Sequence, residues 1–288
     1  MPASGTASRW TRSDSLPNRN PAGNLSAAVD QLSRLLSQRP SGVITDLDGT
    51  ISRIAPAPEL AVIDPVARDA LRHLAEQLDL VAVISGRSAA DAQRLLQLDG
   101  AVYIGNHGLE RRARDRTVIV PEAEQYLPRI RETLTALASR LPAQGVMIED
   151  KGATASIHYR QSPEPELAKA AILAALRPLA VRHGLRISHG RRVVELRLPV
   201  ALDKGTALRD LVRDYRLRST TFLGDDVTDL DAMRALRELR ESGAVSGLSV
   251  GVVGPETPPQ IGQEADLTVS SVDDVAGLLS ALSQRLSP

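Results

Sequence analysis

Val43-Ile44-Thr45-Asp46-Leu47-Asp48-Gly49-Thr50 joins a short apolar run to two carboxylates and a glycine. The run is too short for a helix and its apolar residues are contiguous, the pattern of a strand buried on both faces. The same rhythm recurs along the chain. Leu80 to Ile84 runs into Ser85-Gly86-Arg87, Val102 to Ile104 into Gly105-Asn106-His107-Gly108, and Thr220 to Leu223 into Gly224-Asp225-Asp226. Ser249 to Val253 and Leu267 to Val269 follow. Helix-period stretches alternate with these strands. Ser88 with Asp91 and Thr228 with Asp231 carry capping-box signatures for two of the helices, and an amphipathic helix is predicted from about Val272 to Leu286. Alternation of this kind indicates an α/β fold, a doubly wound and mostly parallel sheet covered on both faces.

Outward from these strands the chain changes character twice. Residues 1–24 are rich in Ser, Pro, Asn and Arg and read as a flexible tail. A helix is predicted from Leu25 to Leu36. Residues 111–198 carry hairpin signals, Val146 to Ile148 with Ala153 to Tyr159 and Leu185 to Ser188 with Val193 to Leu198, and two helical stretches, Glu122 to Leu141 and Pro165 to His183. The expected organisation is a core formed by 25–110 and 199–288, with 111–198 as an inserted α+β unit lying over it.

Composition narrows the function. The 288 residues carry 35 Lys+Arg against 35 Asp+Glu, and aromatic residues make up 2%, too few rings for a base-stacking nucleic-acid platform. No stretch approaches the roughly 18 apolar residues of a membrane span, and 1–24 lacks a secretory apolar segment, so a cytoplasmic protein without membrane or nucleic-acid partners is expected. The chain has no cysteine. Any metal must sit on oxygen or imidazole. Lysine occurs three times, as Lys151, Lys169 and Lys204.

In open parallel sheets ligands bind at the carboxyl ends of the strands. Those ends carry Asp46, Asp48, Ser85, Asn106, His107, Asp225, Asp226 and Asp229, with Asp203-Lys204-Gly205 before a further helix. So many carboxylates at one edge need a cation, and hard oxygen ligands point to magnesium. A lysine and a serine add donors for an anion, and magnesium with a compact ammonium neutralises a phosphoryl group in transfer. Asp46 is placed to be a nucleophile forming an aspartyl-phosphate, and Asp48 to give and take the proton. The Gly-x-x-x-x-Gly-Lys and Gly-x-Gly-x-x-Gly phosphate loops of nucleotide enzymes are absent.

Asp46-Leu47-Asp48-Gly49-Thr50, Ser85, Lys204 and Gly224-Asp225-Asp226 resemble, in order, the four motifs of the haloacid-dehalogenase-like phosphatases. Ser85-Gly86-Arg87, Gly105-Asn106-His107-Gly108-Leu109-Glu110, Asp203-Lys204-Gly205 and Gly224-Asp225-Asp226-Val227-Thr228-Asp229 are similar, more narrowly, to trehalose-6-phosphate phosphatases. The resemblance implies a Rossmann-like core with an α+β cap. It implies Asp46 and Asp48 as catalytic, Ser85, Gly86 and Lys204 as phosphate ligands, and magnesium held by Asp46, Asp48 through its backbone carbonyl, and Asp225. Asp226 and Asp229 would support the metal. Asn106, His107, Arg87, Glu149, Lys151, Arg191 and Glu195 would face the sugar, Arg191 standing where a lysine is common.

The activity so implied is magnesium-dependent hydrolysis of trehalose 6-phosphate, by a monomer acting on a small sugar phosphate. A sucrose-phosphate or mannosyl-3-phosphoglycerate phosphatase of the same superfamily is the alternative within the class. A receiver-like phosphoaspartate signalling module is the alternative outside it, and Asp48 and the cap argue against that.

Overall fold

The structure, a computed structural model, describes residues 25–114, 116–141, 144–190 and 192–287. The tail read at 1–24 and the sugar contact expected of Arg191 lie outside the described residues. The first half of the core runs α1 (Leu25–Leu36), β1 (Ser41–Thr45), α2 (Pro65–Gln77), β2 (Leu80–Ile84), α3 (Ala89–Leu96), β3 (Val102–Gly105), β4 (Glu110–Ala113) and β5 (Arg116–Ile119). The insert follows as α4 (Pro121–Glu124), α5 (Leu127–Ala138), β6 (Met147–Asp150), β7 (Ala155–His158), α6 (Pro165–His183), β8 (Arg186–Gly190) and β9 (Val193–Arg197). The second half of the core is α7 (Lys204–Asp214), β10 (Ser219–Gly224), α8 (Asp229–Glu241), β11 (Ser246–Val252), α9 (Pro259–Glu264), β12 (Leu267–Val269) and α10 (Val272–Leu286).

The large sheet has the order β12-β11-β10-β1-β2-β3-β4-β5, parallel from β12 to β3 and antiparallel at β4 and β5. Successive strand residues point to opposite faces, so a strand covered on both sides is apolar throughout. Val43, Val81, Val83 and Leu223 pack with α1, α2 and α10 on one face, and Ile44, Ala82, Ile84 and Phe222 with α7 and α8 on the other. The insert has its own sheet, β6-β7-β9-β8, wholly antiparallel, whose Ala155, Ile157, Val194 and Leu196 are buried against α5 and α6.

Three expectations change in detail. The large sheet continues past residue 110 through β4 and β5, so the second sheet and its helices begin only after Ile119. The strands involved carry Glu110-Arg111-Arg112 and Arg116-Thr117, charged antiparallel pairs at a sheet edge without a buried apolar run. The helix read over Glu122 to Leu141 is two, α4 and α5, divided at Gln125 and Tyr126. Thr228 does not cap α8: it adopts helical angles, φ −68° and ψ −19°, and makes no capping bond.

Candidate active site

β1 and β10 lie side by side, which brings Asp46 and Asp225 to one edge although 178 residues separate Ile44 from Phe222, its partner in the register. Asp46 directly follows β1 and donates its backbone N–H to Leu223 O at 2.8 Å. Asp203 is the N-cap of α7 and accepts from Thr206 N at 2.7 Å, which fixes Lys204 as the first helical residue. From there Lys204 Nζ donates to Asp46 Oδ1 and to Asp229 Oδ1, each at 2.7 Å. The other oxygen of Asp229 accepts the backbone N–H groups of Asp225 and Asp226, both at 2.9 Å. Thr50 Oγ1 donates to Asp225 Oδ1 at 3.2 Å.

This cluster is buried: the side chains of Asp46, Lys204 and Asp229 are 6%, 2% and 0% exposed. Burial, together with Asp229 and Asp225, pushes the Asp46 carboxyl well above its usual range against the pull of Lys204. Burial works against the Lys204 ammonium too, but its contacts with Asp229 and Asp46 outweigh it and hold the group charged. Ligand oxygens of Asp46, Asp225 and Asp229 lie within 4.8 Å of one another. Counted as ionised, three carboxylates against one ammonium leave two negative charges in excess at a buried site, and the donors are all oxygen. That set fits a hard divalent cation. Two glycines make room for it. Gly49 has φ +91°, and a Cβ there would collide with the Asp225 carboxylate, while a Cβ on Gly224 would lie 2.5 Å from Asp229 Cγ.

Ser85 lies beside this floor, 1% exposed, and its Oγ accepts the Arg87 backbone N–H at 3.2 Å, which leaves its own proton to donate. Arg87 holds both oxygens of Asp48, through Nε at 2.7 Å and Nη2 at 3.0 Å, and holds Asp91 through Nη1 at 2.7 Å. Burial opposes the guanidinium charge but the bonds to Asp48 and Asp91 win and raise its pKa further.

Over the floor stands the cap sheet, and the two enclose a cleft of about 650 Å³ lined by Asp46, Asp48, Ser85 and Lys204 below and by Glu149, Lys151, His158 and Glu195 above. Lys151 Nζ donates to Gly86 O at 3.0 Å and lies 3.8 Å from Glu149 Oε2. Asn106 does not open into the cleft: it is fully buried, donates from Nδ2 to Glu110 Oε1 at 2.6 Å and to Lys151 O at 3.0 Å, and accepts from Thr154. It therefore holds the cap turn to the core. Burial raises the Glu110 carboxyl, against the bonds it accepts from Ala89 N and Asn106.

His107 lines the cleft at φ +57°, its side chain 7% exposed and both ring nitrogens without a hydrogen-bond partner among the described residues. Its Nε2 stands 3.6 Å from Glu195 Oε1, beyond hydrogen-bond range. Burial lowers the His107 pKa and outweighs the attraction of Glu195. The Glu195 carboxyl is held low in spite of burial, by His107, Lys151 and Arg197. His158, which the motif reading passed over, pairs through Nε2 with Glu149 Oε2 at 2.8 Å. Its signal was the period of two: Ser156 and His158 alternate with the buried Ala155 and Ile157 and so share the cleft face of β7. Burial raises and His158 and Lys151 lower the Glu149 carboxyl, with a net fall.

A family model described as trehalose-phosphatase matches residues 44–265. A trehalose-phosphate phosphatase of Mycobacterium tuberculosis is 37% identical over 206 residues, 69% of this chain and 51% of that protein. An uncharacterized glycosyl hydrolase of the same organism is 38% identical over 72% of this chain but only 16% of its own length. The chain thus spans about half the length of the trehalose-phosphate phosphatases it matches. Among solved structures, the C-terminal domain of the Candida albicans trehalose-6-phosphate phosphatase superposes with a TM-score of 0.73 at 19% identity, covering 92% of this chain and 98% of that one. A trehalose-6-phosphate phosphatase related protein gives 0.70 at 24% identity, over 84% and 97%. These two likenesses carry the fold, and the family model, spanning most of the chain, carries the membership: the chain belongs to the trehalose-phosphatase family.

Proposed function

We propose that this chain is a magnesium-dependent phosphatase that hydrolyses trehalose 6-phosphate to trehalose and phosphate. One observation carries the reading: a buried Asp46–Lys204–Asp229–Asp225 cluster with two negative charges in excess forms the floor of a cleft whose roof is polar and belongs to a separate sheet. Asp46, Asp225 and the backbone carbonyl of Asp48 would hold the cation. Bound there, it supplies positive charge toward the phosphoryl oxygens.

In the first half-reaction an Asp46 oxygen bonds to phosphorus as the bond from phosphorus to the sugar oxygen breaks. The electron pair moves to that oxygen, which takes the proton of Asp48, and the sugar leaves as an alcohol. In the second, water bonds to phosphorus and gives a proton back to Asp48 while the Asp46–phosphorus bond breaks. Free phosphate and the original carboxylate result. Ser85, the Gly86 backbone and Lys204 hold the transferring group, and Asp226 and Asp229 shape the loop that presents Asp225. Glu149, Lys151 and Glu195 bind sugar hydroxyls, with His158 orienting Glu149, and His107 meets the sugar from the core side. Arg191 is assigned to the sugar by resemblance alone.

The test is phosphate release from trehalose 6-phosphate, sucrose 6-phosphate and mannosyl-3-phosphoglycerate, with magnesium and after its chelation. Release confined to trehalose 6-phosphate and abolished by chelation is the expected result. Faster turnover of either other substrate would overturn the sugar assignment, and turnover indifferent to chelation would overturn the cation.

A further inference from the structure

The resemblance assigns Arg87 to the sugar, but its donors point elsewhere. Nε and Nη2 fork onto the two oxygens of Asp48 and Nη1 reaches Asp91 Oδ2, so the three guanidinium nitrogens are engaged by carboxylates. The side chain is 8% exposed, whereas Asp48 is 36% exposed, at the edge of the cleft. The backbone of Arg87 is fixed from two sides: its N–H donates to Ser85 Oγ at 3.2 Å, and its carbonyl accepts from Asn106 N at 2.7 Å. The residue before it, Gly86, accepts the cap's Lys151 at 3.0 Å. A forked guanidinium–carboxylate pair sets the plane of the carboxylate as well as its distance. A lone aspartate at a cleft rim rotates freely about its side-chain bonds, and this one does not.

We infer that Arg87 is a positioning residue for Asp48: backed by Asp91, it holds the acid/base carboxyl in the one orientation from which it reaches the sugar oxygen. The inference rests on the phosphatase reading above. Arg87 itself exchanges no proton and touches no reacting atom. Its loop also takes up the cap contact through Gly86, so the acid/base and the cap turn are anchored on three consecutive residues, Ser85 to Arg87.

The two kinds of phosphate ester separate this role from a structural one. An alkyl phosphate must receive a proton from Asp48 as its oxygen leaves, whereas nitrophenolate leaves as the anion and needs none in the first half-reaction. The experiment is single turnover with enzyme in excess, comparing Arg87→Met with the unaltered chain. It follows release of nitrophenolate from p-nitrophenyl phosphate and of sugar from whichever alkyl phosphate of the panel the unaltered chain uses fastest. Misplacing a catalytic group by about 1 Å costs on the order of 100-fold, so sugar release is expected to slow about 10- to 100-fold. Nitrophenolate release should stay within about threefold, because its chemistry bypasses the misplaced acid, and the sugar-phosphate concentration giving half-maximal rate should be little changed.

Equal losses on both esters, or a loss carried by weaker sugar-phosphate binding, would overturn the positioning role. Should Arg87→Met fail to fold, Arg87→Lys keeps the charge and removes the fork, and the same ratio decides. An unaltered chain inactive on every phosphate monoester would overturn the phosphatase reading together with this role, while activity with equal losses overturns this role alone.

Discussion

The floor and the roof of the cleft use the same residue types in opposite ways. On the floor, Asp46, Lys204 and Asp229 are at most 6% exposed and tie one another down, Asp229 through both of its oxygens. On the roof, Glu195, Glu149 and His158 are 17%, 22% and 26% exposed and held by a few contacts each. The difference begins in the sheets. A parallel sheet covered by helices on both faces can offer polar groups only at its strand ends, where several chains of contact converge. The antiparallel cap sheet has one face on α5 and α6 and leaves the other, Ser156, His158, Glu195 and Arg197, to the cleft. A rigid floor suits a reaction common to all phosphate monoesters, and an open, half-hydrated roof suits a choice among sugars.

Asp46→Asn puts the largest strain on that division. Loss of the nucleophile proposed for Asp46 should cut phosphate release by about 10⁴-fold or more, on trehalose 6-phosphate and p-nitrophenyl phosphate alike, as read in a steady-state assay with both substrates. Substantial turnover of either would mean that the floor does not carry the common chemistry. Glu149→Gln probes the roof. Exchanging a charged acceptor for a neutral one costs about 1–3 kcal/mol, so kcat/KM for trehalose 6-phosphate should fall roughly 5- to 150-fold by that measure. The value for p-nitrophenyl phosphate, which has no sugar, should hold within about twofold. Parallel losses on both would dissolve the distinction between floor and roof.

How far each region could be read from sequence follows the same line. Asp46, Asp225 and Lys204 were legible because strand ends and a helix start are marked by local signals, an apolar run closed by carboxylates or an Asp before a helix. Strand order was not written locally. The contact between Asp48 and Arg87 spans 39 residues, and that between Asn106 and Thr154 spans 48. Nothing in either segment announces its partner. Thr228 with Asp231 misled for a physical reason: Asp229 turns inward to Lys204 and the Asp225 and Asp226 amides, so the helix starts on a loop bound by Asp229 rather than on a threonine cap. His158 was overlooked because a lone histidine on a strand is uninformative until the opposite face of that strand is known to be core.

The seam between the regions gives a smaller effect with a definite sign. Burial lowers the His107 pKa below its ordinary 6.5, against the pull of Glu195. The unfolded chain binds a proton near the ordinary value of about 6.5, so the unfolded state holds more protons just below that pH. The stability linked to this group is therefore fully present above about 6.5 and is lost as pH drops from there toward the lowered folded pKa. The slope from one such proton is at most about 1.4 kcal/mol per pH unit. Asn tolerates the left-handed backbone at this position, φ +57°, and cannot titrate. Urea titrations at several pH values should show that His107→Asn flattens this limb, and an unchanged slope would exclude His107 as its source.

The smallest expected effect concerns the scaffold. Four core helices start on side-chain caps, Asp64, Ser88, Asp203 and Ser271, whereas α4, α5 and α6 of the cap start without one and carry proline in their first turn. Ser271 accepts the Asp274 N–H at 3.1 Å, and the Asp274 carboxylate accepts the Ser270 N–H at 3.0 Å, a reciprocal lock on α10. Removing such a cap costs about 1 kcal/mol, and for a chain of this size that lowers the melting temperature by about 2 °C. Ser271 lies away from the cleft, on a helix that packs against α1 and α2 behind the sheet. Ser271→Ala should therefore melt earlier in a thermal scan while kcat/KM on the sugar phosphate and on p-nitrophenyl phosphate keeps its ratio. A shift in that ratio would mean that the roof's choice of substrate depends on how tightly the far side of the core is held, and the separation of the two regions would then be one of sequence and sheet rather than of energetics.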